Sequence, residues 1–263
     1  EILIGLVGSE MCIRDRYRFM GLKEDIQKKA KEIEKEIFQV ESVSFVPTLS
    51  NTKLTFGCKG LEFEATVLYI DMRGSTAILN KHQKRVVAKI HMLYYHAIVK
   101  IAKATGGEIR SFNGDSLLVF YQGTTKDSLS TAVKAAMQMK FAIQTLLNDN
   151  LKNYTDIDFG IGIDHGKILA TKVGIGGTDE TKDLIWIGNA VNRATKISDK
   201  CQTSYNIGIS ECIYNNLLDY VKYHEKDNGY FVKQKIDMWS RENLIYNNEY
   251  ESYYKTNYYW IIE

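Results

Sequence analysis

Residues 64–76 read EATVLYIDMRGST, and this stretch decides the fold because an apolar run ends abruptly in a carboxylate. Ala65 to Ile70 are rich in β-branched and aromatic residues, which favours a buried strand. Asp71 follows at once, and a charge at the end of a buried strand is costly to desolvate unless a cation meets it. The stretch therefore predicts a strand that ends either in a capping acid or in a metal ligand.

A second acid stands in the stretch SFNGDSLLVF, residues 111–120. Asn113 and Gly114 lie between apolar runs, which is the strongest short signal for a β-hairpin. Asp115 on its own is read most simply as a turn residue, since Asp beside Gly is common turn chemistry. If the two stretches are neighbours in one sheet, however, Asp71 and Asp115 share an end, where they repel unless divalent cations lie between them.

The residues after the first acid suit a phosphate. Gly74, Ser75 and Thr76 enter a helix and offer backbone amides and hydroxyls to an anion. Two simpler interpretations stay open, because Arg73 also suits a contact that braces the sheet and Thr76 also suits an N-cap. Paired metals facing a phosphate are the usual apparatus of in-line phosphoryl chemistry.

The rest of the chain predicts one α/β (α+β) domain with a largely antiparallel sheet flanked by helices. Helical periodicity is expected at 81–105 and 126–148, a second hairpin around His165 and Gly166, and a short strand running into a helix within 183–200. The earliest helix begins after Met20 and is typical of a surface or dimer-packing helix; its apolar positions are Leu22, Ile26, Ala30, Ile33 and Ile37.

The chain divides into three parts on this interpretation. Residues 1–19 are a leader, either non-native or disordered, because SEMCIRDR looks like translated sequencing-adapter read-through. Residues 20–60 form an N-terminal helix and linker, and residues 61–263 a catalytic domain with a C-terminal extension. The tyrosine-rich tail is expected to form an edge strand or a dimer contact.

Composition excludes some partners. The chain has 34 basic and 32 acidic residues, so its net charge of +2 gives no electrostatic case for a nucleic acid. No apolar run approaches the roughly 18 residues that span a bilayer, which predicts a cytoplasmic protein without a membrane partner. The four cysteines show no metal-binding spacing, and we expect buried thiols and not disulfides or a zinc site.

Four stretches together resemble the class III nucleotide cyclases: YIDMRGST, GGEIRSFNGDSLLVF, GIGIDHGKILATKVG and IWIGNAVNRATKI. The resemblance covers about Glu64 to Ser210 and implies a ferredoxin-like core and a homodimer with composite active sites. It implies attack of a nucleoside triphosphate's 3′-hydroxyl on its own α-phosphate. Two divalent cations, Mn²⁺ or Mg²⁺, would be held by Asp71, Asp115 and the Met72 carbonyl. Asn192 matches the asparagine that positions the ribose from the partner subunit.

At three positions the chain differs from the pattern of the purine cyclases, and these differences limit which nucleoside triphosphate can be the substrate. Lys196 stands where purine cyclases carry a transition-state arginine, and Ser111 and Ile185 stand at the purine-selecting positions. The same departures resemble the Pycsar pyrimidine cyclases of bacterial antiphage defence, whose cyclic UMP or cyclic CMP activates a separate effector.

The identity of the base is inferred from the residues that are expected to face it. Ser111 and Arg110 offer donors, and no acid stands at the matched positions, which favours a carbonyl oxygen and hence UTP. CTP, then a purine triphosphate, and finally an inactive nucleotide-binding regulator remain the alternatives.

Overall fold

The structure is a computed structural model that describes residues 21–175, 181–227 and 233–263. The predicted leader, residues 1–19, lies outside the described residues. The N-terminal region holds α1 (residues 21–35), β1 (Gln39–Ser42), β2 (Lys59–Arg73), α2 (Ser75–Lys81) and α3 (Lys84–Ala104). The middle holds β3 (Glu108–Asn113), β4 (Ser116–Gln122), α4 (Lys126–Phe141), a π-helical continuation (Ala142–Leu147) and α5 (Asn148–Leu151).

The remaining elements complete the sheet and add an extension. They are β5 (Asp158–Gly174), β6 (Lys182–Ile187), α6 (Asn189–Asp199), β7 (Ile207–Ser210), α7 (Glu211–Asn215) and α8 (Asp219–Lys222), followed by β8 (Tyr223–Asp227), β9 (Lys233–Asp237), β10 (Ser240–Tyr246) and β11 (Glu249–Thr256). The predicted helices after residue 80 and after residue 125, and the strand that runs into α6, are confirmed.

Within the described residues, nine strands form one sheet, and β8 pairs with β9 separately. The main path runs β10-β11-β7-β5-β2-β4-β3, with β1 added to β2 and β6 added to β5. The β1–β2 and β5–β7 pairs are parallel, and the other pairings described are antiparallel. The predicted class, a mixed α/β domain with a mostly antiparallel sheet flanked by helices, is confirmed.

The central strand β2 separates two apolar layers because its side chains alternate between the faces of the sheet. Leu68, Ile70 and Met72 pack on one face with the apolar sides of α3 and α4. Ala65 and Val67 pack on the opposite face with the small residues of α6. Asp71 follows this second alternation and therefore lies on the α6 face of the sheet.

The predicted hairpin around His165 and Gly166 is wrong. Residues Asp158–Gly174 form one continuous strand that pairs with β2 along most of its length, so that His165 lies opposite Thr66. Gly166, which suggested the turn, lies within this strand, and a Cβ there would meet Ala190 at an ordinary 3.5 Å. Another glycine of the strand does have a packing role. A Cβ on Gly162 would overlap the Ala194 carbonyl oxygen of α6, so glycine is needed for the close approach of a helix.

Helix α1 is confirmed over residues 21–35, and every one of its residues is exposed. Leu22, Ile26 and Ile33 of its apolar stripe are each more than half exposed. Whether this stripe packs in a dimer stays a prediction. Among the described helices, none combines the length and apolar character that crossing a bilayer requires.

Candidate active site

The end of β2 and the β3–β4 turn bring the two predicted metal acids together. β2 and β4 are antiparallel with Asp71 opposite Ser116, so the preceding residue, Asp115, lies beside the end of β2. The Met72 amide donates a hydrogen bond of 3.3 Å to the Asp115 carbonyl oxygen. Gly114 has φ 64°, a conformation that glycine adopts readily, and this allows the chain to turn directly before the acid.

The acid pair is electrostatically costly without a cation. Burial raises the pKa of Asp71 to about 6, and repulsion from the Asp115 carboxylate adds to the effect, while the nearby Arg73 opposes it. The Asp71 side chain is 20% exposed, so solvent screens this repulsion only in part. A divalent cation between the carboxylates would favour their ionised forms.

The oxygen donors of this site fit a cation that takes some of its ligands from the protein and the others from a substrate. Two carboxylates are the hard oxygen ligands that Mg²⁺ and Mn²⁺ prefer. Within the described ranges, no three His, Cys, Asp or Glu side chains are grouped to hold a metal by themselves. Met72 buries its side chain against α3 and α4, so any ligand from it is a backbone oxygen. Phosphate oxygens would have to complete the coordination, as in many Mg²⁺-nucleotide sites.

Arg73 makes the bracing contact that the sequence left open. Its Nη1 donates to Asp71 Oδ2 at 2.6 Å, and its Nε donates to the Cys201 carbonyl at 3.2 Å. Its Nη2 donates to the Ser198 carbonyl at the end of α6. Arg73 therefore joins the first acid to α6, and a contact between Arg73 and phosphate stays a prediction.

The predicted phosphate loop lies beside the second acid. Gly74 has φ 68° and is itself the N-cap residue of α2, so the alternative in which Thr76 is the N-cap is wrong. An open pocket of about 300 Å³ adjoins the loop and the hairpin turn; its lining residues are Ser75, Thr76, Leu79, Val87, His91, Gly114 and Asp115. The pocket places two hydroxyl-bearing residues next to one of the acids.

Tyr95 is a site residue that the sequence analysis missed. Its hydroxyl donates to the carbonyls of Gly114 at 2.8 Å and Ser116 at 3.2 Å, and it thereby holds the turn that carries Asp115. Burial raises the pKa of Tyr95 to about 12, with the negative charges of Asp115 and Asp71 adding to this. Nothing in the periodicity of α3 distinguishes Tyr95 from its packed neighbours.

Helix α6 carries the other two candidates. Asn192 and Lys196 are one helical turn apart and exposed, so both are available on one side of the helix. Between them, Arg193 is partly buried and contacts Asp164 and Glu251. The opposite side of α6 packs on β5 through Ala190 and Ala194.

The predicted base-facing residues lie on separate elements. Ser111 pairs with Leu118 after a bulge in β3, and Ile185 lies in β6 with 41% of its surface exposed. Three strands, β5, β2 and β4, separate β6 from β3. The bulge residue Arg110 donates from Nε to the Pro47 carbonyl at 2.8 Å and from Nη2 to the Val46 carbonyl at 3.0 Å. These contacts anchor the hairpin to the N-terminal segment.

Fold and acid pair together define a nucleotide-cyclase class of α/β domain. The family described as the adenylate and guanylate cyclase catalytic domain matches residues 62–254, and the chain belongs to that family. It is a nucleotide cyclase domain, and the resemblance seen in its motifs is confirmed.

Three known proteins are similar to the chain. A uridylate cyclase from Xanthomonas perforans is 28% identical over 249 residues, which cover 93% of this chain and 100% of that protein. A cytidylate cyclase from Staphylococcus aureus is 26% identical over 228 residues, covering 74% and 53%. The crystal structure of the guanylyl cyclase Cya2 superposes with a TM-score of 0.59 at 19% identity, covering 74% and 92%, and supports the fold alone.

Proposed function

We propose that this protein is a uridylate cyclase, which converts UTP to 3′,5′-cyclic UMP and pyrophosphate. The observation that carries the proposal is the Asp71–Asp115 pair at the end of the central strand of a cyclase-family domain. Burial, with repulsion from Asp115 added, raises the pKa of Asp71 to about 6, and such a pair suits a site that functions with cations bound.

In this reaction the O3′ oxygen forms a bond to the α-phosphorus while the bond from that phosphorus to the α,β-bridging oxygen breaks. Pyrophosphate leaves with the electron pair, and the hydroxyl proton passes to water. Asp71 and Asp115 would hold two divalent cations, Mn²⁺ or Mg²⁺, which when bound supply activation of the hydroxyl and neutralisation of phosphate charge. Ser75, Thr76 and the adjacent amides would orient the phosphates.

Asn192 and Lys196 would complete the site of the partner subunit in a homodimer. Both are exposed on one side of α6, so they are available to a second copy of the chain. Asn192 would orient the ribose, and Lys196 would offer a point charge to the phosphate oxygens as negative charge shifts in the transition state.

The choice of UTP depends on Ser111 and Ile185. Neither offers a carboxylate to an amino group of a base, and Ser111 can donate to a carbonyl oxygen. Arg110 supports this less than the sequence suggested, because its Nε and Nη2 already donate to Pro47 and Val46. The uridylate cyclase of X. perforans, similar along its whole length, supports UTP. CTP is the second candidate, because the Ser111 hydroxyl also accepts hydrogen bonds.

By the resemblance of its motifs to the Pycsar pyrimidine cyclases, cyclic UMP would act on a separate effector in a cytoplasmic antiphage response. The enzyme itself would need no nucleic acid or membrane.

A competition assay tests the substrate. Purified protein is given equal ATP, GTP, CTP and UTP with Mn²⁺, the products are identified by mass spectrometry, and Asp71→Asn protein serves as the control. We expect cyclic UMP to dominate and to be absent from the control. Dominant cyclic CMP would overturn the choice of base, and dominant cyclic AMP would overturn the roles given to Ser111 and Ile185. No product from folded dimeric protein would favour the inactive regulator.

A further inference from the structure

Arg193 follows Asn192 directly, yet it contacts the protein interior. Its Nη1 donates to Asp164 Oδ2 of β5 at 2.8 Å. Its Nε and Nη2 donate to the two carboxylate oxygens of Glu251 in β11, at 2.6 Å and 3.1 Å. The guanidinium also lies over the ring of Tyr246 in β10, 4.7 Å from the centroid. We call Asp164, Arg193, Tyr246 and Glu251 the α6 clamp.

The α6 clamp is too well formed and too buried to be a fluctuating surface ion pair. The Asp164 side chain is 1% exposed, whereas exposed ion pairs are screened and contribute little. Arg193 meets Glu251 in a bidentate geometry that fixes the orientation of both side chains. Tyr246 adds a second link, because its hydroxyl donates to Asn189 Oδ1 at 3.1 Å, one turn earlier in α6.

Outside the α6 clamp, the directional bonds described between α6 and the sheet lie at the C-terminal end of the helix: Arg73 Nη2 donates to the Ser198 carbonyl oxygen, and the Ser198 hydroxyl donates to the Gly160 carbonyl oxygen at 2.9 Å. The N-terminal part of α6 contacts the sheet differently. Gly162 lets the helix backbone lie directly on β5, and the facing side chains of α6 are the small Ala190 and Ala194. Such a smooth contact fixes the distance between helix and sheet better than it opposes sliding or rotation. The directional hydrogen bonds of the clamp oppose both.

We infer that Arg193 is a positioning residue, which through the α6 clamp fixes the axial and rotational position of Asn192 and Lys196. The inference depends on the proposed function, because it assumes that these two side chains act in the site of the partner subunit. It also gives the β10–β11 hairpin a role in turnover, since that hairpin supplies Glu251 and Tyr246.

Kinetics of clamp variants test the inference first. Arg193→Met keeps most of the length and removes every donor, and Glu251→Gln keeps an acceptor and removes the charge. With UTP and Mn²⁺, we expect kcat to fall about 10- to 100-fold for Arg193→Met, because a displacement of about 1 Å in a reacting geometry can cost about 100-fold. KM should change less than kcat, and Glu251→Gln should lie between Arg193→Met and the wild type.

The matched control is Arg241→Met. Arg241 lies in the same hairpin and bonds to Ser252, and its variant should leave kcat unchanged.

Hydrogen exchange supplies a readout other than activity: Arg193→Met should speed exchange of α6 amides and leave β2 amides protected. If Arg193→Met does not fold, Glu251→Gln carries the same comparison. Unchanged kcat in a folded clamp variant would overturn the inference.

Subunit complementation separates this role from a general loss of folding. Asp71→Asn mixed with Asn192→Ala is the reference pair, and it should recover about a quarter of wild-type activity, since half of the dimers are mixed and each has one complete site. Arg193→Met should behave like Asn192→Ala: it should complement Asp71→Asn and fail to complement Asn192→Ala. If the reference pair recovers and the Asp71→Asn pair with Arg193→Met does not, the inference is wrong. If the reference pair itself fails although subunits exchange, the composite site is wrong and the inference falls with it.

Discussion

At the scale of single residues, the main feature is a conflict between two acids that the fold holds together. Asp71 lies in the buried strand β2, two residues before its end, and Asp115 directly follows Gly114, so neither acid can move away from the other without disrupting β2 or the hairpin. Arg73 relieves only part of the repulsion, because its guanidinium also bonds to α6. Without a bound cation, the repulsion between these two carboxylates therefore lowers the stability of the folded protein.

This conflict predicts that Asp71→Asn abolishes turnover and stabilises the metal-free protein. The pKa of Asp71 in the folded state is raised from 3.8 to about 6, so the folded chain binds its proton more tightly than the unfolded chain. The free energy of unfolding therefore falls as pH rises from about 4 to about 6, and the loss persists above that range. At pH 8 the variant should gain on the order of 3 kcal/mol, since the pKa rises from 3.8 to about 6 and one pKa unit corresponds to about 1.4 kcal/mol.

Urea unfolding at several pH values, after treatment with a chelator, measures this gain. The difference between variant and wild type should shrink as pH falls through 6 toward 4, and added Mn²⁺ should stabilise the wild type more than the variant. Leu79→Ala, an exposed change in the neighbouring helix, is the control and should show no such pH dependence. Substantial turnover by Asp71→Asn, or a variant less stable than wild type at pH 8, would contradict the assignment of Asp71.

At the scale of elements, the fit of α6 against β5 positions the second half of the site. Gly162 allows the Ala194 region of α6 to touch the strand backbone, whereas a Cβ on Gly166 would meet the Ala190 methyl at an ordinary 3.5 Å. The same substitution should therefore affect stability much more at Gly162 than at Gly166.

Gly162→Ala should destabilise the protein by about 2–3 kcal/mol, the cost typical of forcing extra volume into a packed contact. Because the obstructing atoms are helix backbone, we expect α6 to shift and activity to fall along with stability. Gly166→Ala is the matched control and should change the free energy of unfolding by less than about 1 kcal/mol, with part of any gain arising from the unfolded chain. Thermal or urea unfolding of both variants gives the comparison. Equal effects would mean that close helix approach does not explain Gly162.

The parts of this fold that the sequence predicted have local causes, and the parts that it missed have tertiary ones. The β3–β4 hairpin followed from Asn113 and Gly114, because a tight turn needs residues that tolerate its backbone angles. The continuous β5 was missed because His165 and Gly166 also suit a turn, and the sequence does not show that the strand continues through them to pair with β2. Tyr95 and Arg193 were missed for the same reason, since their partners are distant in sequence. The two acids were recognised from the sequence because Asp71 directly follows an apolar strand pattern and Asp115 directly follows a turn signal.

At the scale of the whole molecule, the proposed catalytic groups lie on two separate parts of the fold. Asp71 and Asp115 lie at the end of β2, and Asn192 and Lys196 are exposed on α6. The exposed apolar stripe of α1 and the exposed α6 residues are both available to a second copy of the chain. If each site takes two groups from each of two chains, a monomer contains no complete site.

The reaction rate should therefore fall faster than the protein concentration when the protein is diluted, so that the specific activity falls as well. Diluting the wild type below its dimer dissociation constant should lower specific activity toward zero, because in a separated chain the metal acids have no α6 groups of a partner opposite them. Mass photometry on the same dilutions reports the dimer fraction, and specific activity should follow that fraction. Adding excess Asp71→Asn protein to dilute wild type provides the control: it should restore activity, since mixed dimers place the α6 of the variant opposite the acids of the wild type. Constant specific activity across a range in which dimers dissociate would show that one chain holds a complete site, and Asn192 and Lys196 would then act on the acids of their own subunit.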